Sequence, residues 1–170
     1  MSKPDATPLD ALDVKILARY QHDTRTPAHT IGRAVGLSTA AVQRRLKRLR
    51  EGGVIEAEIA QLAPAAVGLP VTCLVTVDLD REGAADLARF RKRIGGYPEV
   101  QQSYYVTGQG YFILVVLTAD LAAYEAFTRR ALLADGNVRS FTSHVVLERV
   151  KVGLAVPLGP GAIRSGPRRT

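Results

Sequence analysis

Apolar positions recur at threes and fours from residue 9 onward: Leu9, Leu12, Ile16, Leu17 and Tyr20 make one stripe. That spacing lays a single face along an α-helix, which starts at Asp10 or Ala11 and fades over residues 21–23. Thr26-Pro27 opens a second helix, with Thr26 as N-cap and Pro27 in the first helical position, where its missing N–H is not needed. Ile31, Ala34 and Val35 face inward, and Gly36 ends this short helix as a left-handed cap. Ser38 follows at once as the N-cap of a third helix. Val42, Leu46 and Leu49 form its apolar stripe, and Gly52-Gly53 stops it. Helix, short helix, tight glycine turn, longer helix is the spacing of a helix-turn-helix.

After Ile55 the period changes. Residues 57–70 read as a short strand and a turn-rich linker. Residues 71–79 are dense in β-branched side chains and predict a strand. Residues 83–94 are amphipathic, with Leu87, Phe90, Arg91 and Ile94 at helical spacing. A strand over 100–106, a glycine turn at 108–110 and an apolar strand over 111–117 follow. Residues 120–133 predict a second helix carrying Leu121, Tyr124, Phe127 and Leu132, and residues 138–150 a final long strand. The order β, α, β, β, α, β predicts a four-stranded antiparallel sheet with two helices on one face. Its other face is apolar, and self-association is its natural cover.

The predicted fold class is therefore α+β: an N-terminal helix-turn-helix (winged-helix-like) domain plus a C-terminal βαββαβ ferredoxin-like domain. The expected divisions are a disordered N-terminus over 1–8, a helix-turn-helix over 9–56, a strand and linker over 57–70, the βαββαβ domain over 71–152, and a flexible basic tail over 153–170.

Composition narrows the classes. Apolar residues are 46% and charged residues 23% of the 170, which is ordinary globular material. No run reaches 18 apolar residues, so no transmembrane helix is expected, and residues 1–8 hold no apolar signal region. A single cysteine, Cys73, excludes an internal disulfide and a multi-cysteine zinc site, and favours a reducing cytoplasm. Cys73 reads as a small buried hydrophobe. His22, His29 and His144 are scattered among different elements, so no metal and no cofactor is expected. Gly108-Gln109-Gly110 lacks the third glycine of a dinucleotide fingerprint and opens a strand rather than a helix.

The net charge of +7 is unevenly spread. Residues 1–64 carry ten basic against seven acidic side chains, residues 65–150 nine against nine, and residues 151–170 four against none. The excess points to a polyanion partner for one part of the chain. Within the third helix Arg44, Arg45, Lys47, Arg48 and Arg50 precede any acid. Rotating 100° per residue from Val42 places Ala40, Arg44 and Lys47 opposite the buried face, Gln43 and Arg48 at its flanks, and Arg45 near the buried edge. The second helix of a helix-turn-helix enters the major groove with its N-terminal half. There Gln43 can pair with adenine and arginine with guanine. Thr39 can reach a thymine methyl or a phosphate, and Ser38 with the helix N-terminus can hold a phosphate. The competing reading is a solvated basic face on a structural helix. For Arg45, an ion pair with an acid such as Asp13 competes with a base contact.

The run Leu9-Asp10-Ala11-Leu12-Asp13-Val14-Lys15-Ile16-Leu17 resembles the opening of the leucine-responsive/asparagine-responsive (Lrp/AsnC) family of transcription regulators. So do Val35-Gly36-Leu37-Ser38 and then Val42, Arg45, Leu46, Arg48-Leu49 and Gly53-Val54-Ile55. The resemblance covers about residues 9–152. It implies double-stranded DNA as a partner, with Ser38, Thr39, Ala40, Gln43, Arg44, Lys47 and Arg48 at the interface. It also implies homodimers through the sheets, assembled into tetramers or octamers, and an amino acid or related metabolite as effector between C-terminal domains.

The implied effector residues are Gly108, Gln109, Gly110, Tyr111 and Ser143. Here the chain departs from the family. Where members commonly carry Gly-x-x-Asp-Tyr, this chain has Gly108-Gln109-Gly110-Tyr111-Phe112. A phenol offers no charge to an ammonium near neutral pH, though it can stack on one or hydrogen-bond a neutral ligand. This implies a different effector class, an altered pose or no effector. Ordinary packing at a subunit interface is the alternative for Tyr104, Tyr105, Tyr111 and Ser143.

Two further classes compete with this reading. An architectural DNA-wrapping protein with little effector control fits Tyr111 and the basic tail. A tetrapyrrole decarboxylase on the same architecture would need His and Arg lining a large cleft. Only His144 and Arg139 are candidates, and no nucleophile–base set is recognisable, so the chain reads as no enzyme.

Overall fold

The computed structural model describes residues 8–107 and 112–158. These divide into two compact units, Met1–Ala60 with Val152–Thr170, and Gln61–Lys151. The expected disordered residues 1–7, the turn at 108–111 and the tail beyond 158 lie outside the described residues.

The first unit is three helices around a small core. Helix α1 (Ala11–Tyr20) starts in a reciprocal capping box: Asp10 Oδ1 accepts from the Asp13 N–H at 2.8 Å, and Asp13 Oδ2 accepts from the Asp10 N–H at 3.0 Å. Helix α2 (Ala28–Val35) begins one residue later than its Thr-Pro signal suggests. Pro27 is itself the N-cap: its backbone is extended and its carbonyl accepts from Thr30 and Ile31. Thr26 instead closes a turn onto the Asp23 carbonyl. Ala34, expected inside, is exposed, because α2 turns Ile31 and Gly32 inward.

Gly36 caps α2 at φ 75°, and Ser38 Oγ caps α3 (Thr39–Glu51) by accepting from the Ala41 N–H at 3.2 Å. Ile16, Tyr20, Ile31, Val42 and Leu46 pack together, with Ala28, Val35, Leu37 and Ile55 at the edges. Each buried aliphatic side chain contributes roughly 1.5–3 kcal/mol.

Residues 57–63 form no strand, contrary to expectation. Side chains hold this stretch instead: Glu58 accepts from Arg50 Nε at 2.9 Å and from the Tyr20 hydroxyl. A 3-10 turn (Pro64–Val67) ends at Gly68 and leads into the sheet.

The second unit holds β1 (Val71–Leu79), α4 (Ala84–Ile94), β2 (Val100–Tyr105), β3 (Phe112–Thr118), α5 (Leu121–Thr128) and β4 (Val138–Val145). Helix α5 loosens into a π-turn at Arg129–Leu133. The sheet is antiparallel in the order β2-β3-β1-β4, the predicted βαββαβ arrangement. Cys73, Val75, Val77 and Leu79 of β1 and Phe112, Leu114 and Val116 of β3 face α4 and α5, meeting Phe90, Ile94, Phe127 and Leu132 in one core. Burial pushes the Cys73 thiol up, which suits an inert packing residue.

Strand β4 stops at Val145, five residues short of the expected end. Its partner β1 begins at Val71, and the Val146 N–H takes the last bond, to the Thr72 carbonyl. Beyond that no backbone remains to pair with. The opposite sheet face carries Leu74, Ile113, Val115, Leu117, Tyr104 and His144 by strand alternation. Leu74 is 41% and Tyr104 50% exposed, which is high for apolar side chains on a sheet face.

Candidate functional site

Helix α3 separates its side chains cleanly. Val42, Leu46 and Leu49 are buried, whereas Thr39, Ala40, Gln43, Arg44, Lys47 and Arg48 are exposed. The face expected to meet DNA is therefore turned outward, with Ser38 at its head. Among the described residues Arg44 makes no ion pair, and Lys47 pairs only with Glu51, at 3.8 Å one turn on. Both cations are available to an external anion.

Arg45 and Arg48 behave differently. Asp13, fully buried, receives Arg45 Nη1 at 2.8 Å on one carboxylate oxygen and Arg48 Nη2 on the other. Arg45 also reaches Asp10 at 2.6 Å and holds its carboxyl below the usual aspartate range. Arg45 thus takes the ion-pair option that its position near the buried edge left open. Arg48 is only partly committed to Asp13: its side chain remains 47% exposed. At the far end of α3, Arg50 Nη2 donates to the Tyr20 hydroxyl at 2.7 Å and Arg50 stacks on that ring. Three of the five basic residues of α3 therefore fix the helix as well as charge it.

The geometry of the turn depends on a residue that sequence reasoning missed. Gly32 is buried, and its carbonyl accepts from the Leu37 N–H at 2.9 Å. A Cβ here would lie 2.5 Å from the Leu37 carbonyl oxygen. Only glycine allows α2 and the start of α3 to approach this closely. The signal was a glycine four residues before Gly36, inside a helical pattern.

In the second unit, Gly108, Gln109, Gly110 and Tyr111 lie outside the described residues. Ser143 stands on the helix-facing side of β4, paired with Val75, and its hydroxyl bonds to that of Tyr124 on α5. Burial pushes the Tyr124 phenol up. Tyr104 and Tyr105 point to opposite faces: Tyr104 donates to Gln102 at 2.7 Å, while Tyr105 packs on Phe112 under Arg91. His144 is exposed on the open face. A groove of about 650 Å³ runs along α4 between Ala88, Arg89, Lys92, Arg93 and Gly96. Ser143 is not among the described residues that line it.

A helix-turn-helix with an outward basic helix, and a separate antiparallel βαββαβ unit, define a two-domain DNA-binding regulator. Comparison with known proteins agrees in both halves. Residues 9–50 match the AsnC-type helix-turn-helix domain, and residues 72–156 match the Lrp/AsnC ligand binding domain. The chain belongs to the Lrp/AsnC family of transcription regulators. It is 45% identical over 153 residues to an uncharacterised HTH-type transcriptional regulator of Sinorhizobium fredii, covering 90% of each chain. An AsnC family transcriptional regulator from Agrobacterium tumefaciens is 33% identical with a TM-score of 0.82, over 88% of this chain and 97% of that one. A Neisseria meningitidis transcriptional regulator solved as an L-Met complex is 29% identical, also with a TM-score of 0.82 over 88% and 97%. These relatives are regulators rather than enzymes.

Proposed function

We propose that the protein regulates transcription by reading specific DNA sequence with α3, under the control of an amino acid or related metabolite. The outward placement of Gln43, Arg44 and Lys47 around a helix anchored from behind carries this reading. Gln43, Arg44 and Lys47 reach bases or their immediate surroundings, with Ala40 close against a base. Ser38, Thr39 and Arg48 hold phosphates and set the register. Two heads on a homodimer read half-sites one or more helical turns apart along one DNA face. The apolar sheet face around Leu74, Val115 and Leu117 supplies the contact between copies, with tetramers or octamers built further from dimers. Action on DNA places the protein in the cytoplasm, and no helix among the described residues is long and apolar enough to cross a membrane.

The effector site comprises Gly108, Gln109, Gly110, Tyr111 and Ser143, and the L-Met complex of the Neisseria relative supports an amino acid as its ligand class. A ligand held between C-terminal domains shifts the balance of assemblies and so the spacing of the heads. A 5- to 150-fold effect needs roughly 1–3 kcal/mol of differential affinity. A thermal-shift screen of the twenty amino acids and related metabolites tests this. Ligand at about 100 times its Kd adds roughly 2.7 kcal/mol. A hit abolished by Tyr111→Ala or Ser143→Ala supports effector gating. Silence from a folded, DNA-binding protein contradicts it and favours the architectural reading that Tyr111 also fits.

A further inference from the structure

We propose that Tyr20 and Gln21, at the C-terminal end of α1, are positioning residues for DNA reading. They fasten both chain segments that join the head (the first unit) to the second unit, and so set which half-site spacing paired heads accept. This rests on the DNA-binding reading above. The entire second unit, Gln61–Lys151, is inserted between the two segments. Both nevertheless end on neighbouring residues of one helix.

The outgoing segment is held through Glu58. Its Oε1 accepts from the Tyr20 hydroxyl and from Arg50 Nε at 2.9 Å, while Arg50 Nη2 donates to the Tyr20 hydroxyl at 2.7 Å. Hydrogen bonds to ionised groups are roughly twice as strong as neutral ones. Tyr20 is buried and packs in the head's core, so the ring of three groups has a fixed base. The returning segment is held through Gln21, the C-cap of α1. Gln21 Nε2 donates to the Val156 carbonyl at 3.1 Å, and the Val156 N–H donates to Gln21 Oε1 at 2.9 Å. One planar amide thus reproduces a step of a β-ladder. Apolar burial is not what holds the arm there: Leu154 is 74% and Val156 61% exposed.

The two straps shorten and stiffen the leash. Ile55 packs on the head's core, and the next element is the 3-10 turn that starts at Pro64. Left free, residues 56–63 would reach at most about 28 Å; with Glu58 fastened, residues 59–63 reach at most about 17 Å. A shorter leash narrows the range of separations that two linked sites can bridge. A second point of attachment removes the swivel that a single strap permits. Neither strap uses Gln43, Arg44 or Lys47. The straps therefore select the distance between half-sites, and the sequence within each half-site is left to α3.

The test selects duplexes from a randomised library with the full chain. The recurring half-site is then presented once, and twice at separations increased by single base pairs, to the parent, Glu58→Ala, Gln21→Ala and the double variant. The parent is expected to favour in-phase separations about tenfold over those half a helical turn off, about 5 base pairs. Each single variant is expected to lower that preference, and the double variant to reduce it to about twofold. Affinity for the single half-site is expected to stay at the parental value in all three. Parental spacing preference in the double variant overturns the proposal. Equal losses on single and paired half-sites overturn it too, because the contacts then only support the fold of the head. A parent that binds paired half-sites equally at every separation overturns the straps' role and leaves reading by α3 intact. A parent that selects no recurring half-site overturns the DNA reading, and the straps' role with it.

Discussion

The buried carboxylate of Asp13 on α1 and the guanidinium of Arg45 on α3 face each other at 2.8 Å across the head. Arg48 closes on the second carboxylate oxygen, so one acid pins two turns of α3. The acid has no water to fall back on, and the arginines do. Removing Asp13 therefore strands two cations that can turn partly to solvent. Asp13→Ala should cost about 3 kcal/mol, the low end for a broken buried pair. Urea unfolding followed by circular dichroism measures it. A loss below about 1 kcal/mol would show that the pair is only decorative.

Gly32 sets the approach of α2 to the turn. Gly32→Ala forces a methyl against the Leu37 carbonyl and should destabilise by about 1–3 kcal/mol, as overpacking does. Far-ultraviolet thermal melts give the answer. A variant as stable as the parent would mean that the turn relaxes freely.

The head should weaken in acid. Arg45 holds Asp10 below its usual range, and the Tyr20 hydroxyl, then Arg50, does the same for Glu58. Both carboxyls have lower folded than unfolded values. Their contribution is complete above the unfolded values, about 3.9 and about 4.3, and is lost as pH falls through the lower folded ones. Asp10→Asn with Glu58→Gln should flatten the decline of stability below about pH 4.5. An identical acid limb would rule these groups out as its source.

Tyr124 and Ser143 tie α5 to β4 through their hydroxyls. A double-mutant cycle with Tyr124→Phe and Ser143→Ala should give a coupling of about 1 kcal/mol. Additive losses would mean that the hydroxyls act separately.

The helix-turn-helix was legible because its caps and stripe are local signals. Asp10, Gly36 and Ser38 act on backbone within three or four residues of themselves. The sheet order followed from alternation and element sequence. Long-range choices were harder to read. Glu58 looked like strand material because nothing nearby reveals Tyr20 and Arg50. The end of β4 was set by where β1 starts, far away in the chain. Gln21 gave no sign of its partner 135 residues on. Helical rotation showed that Arg48 points outward, but not that Asp13 shares its guanidinium.

The most direct measurement is binding of the full chain to a randomised duplex library and to a fixed duplex across salt, with Gln43→Ala and Lys47→Ala beside the parent. Gln43→Ala should change the selected sequence. Lys47→Ala should weaken binding to all sequences and reduce the salt slope by about 0.9. An unaltered selected sequence together with an unaltered slope would contradict α3 as the surface that reads DNA.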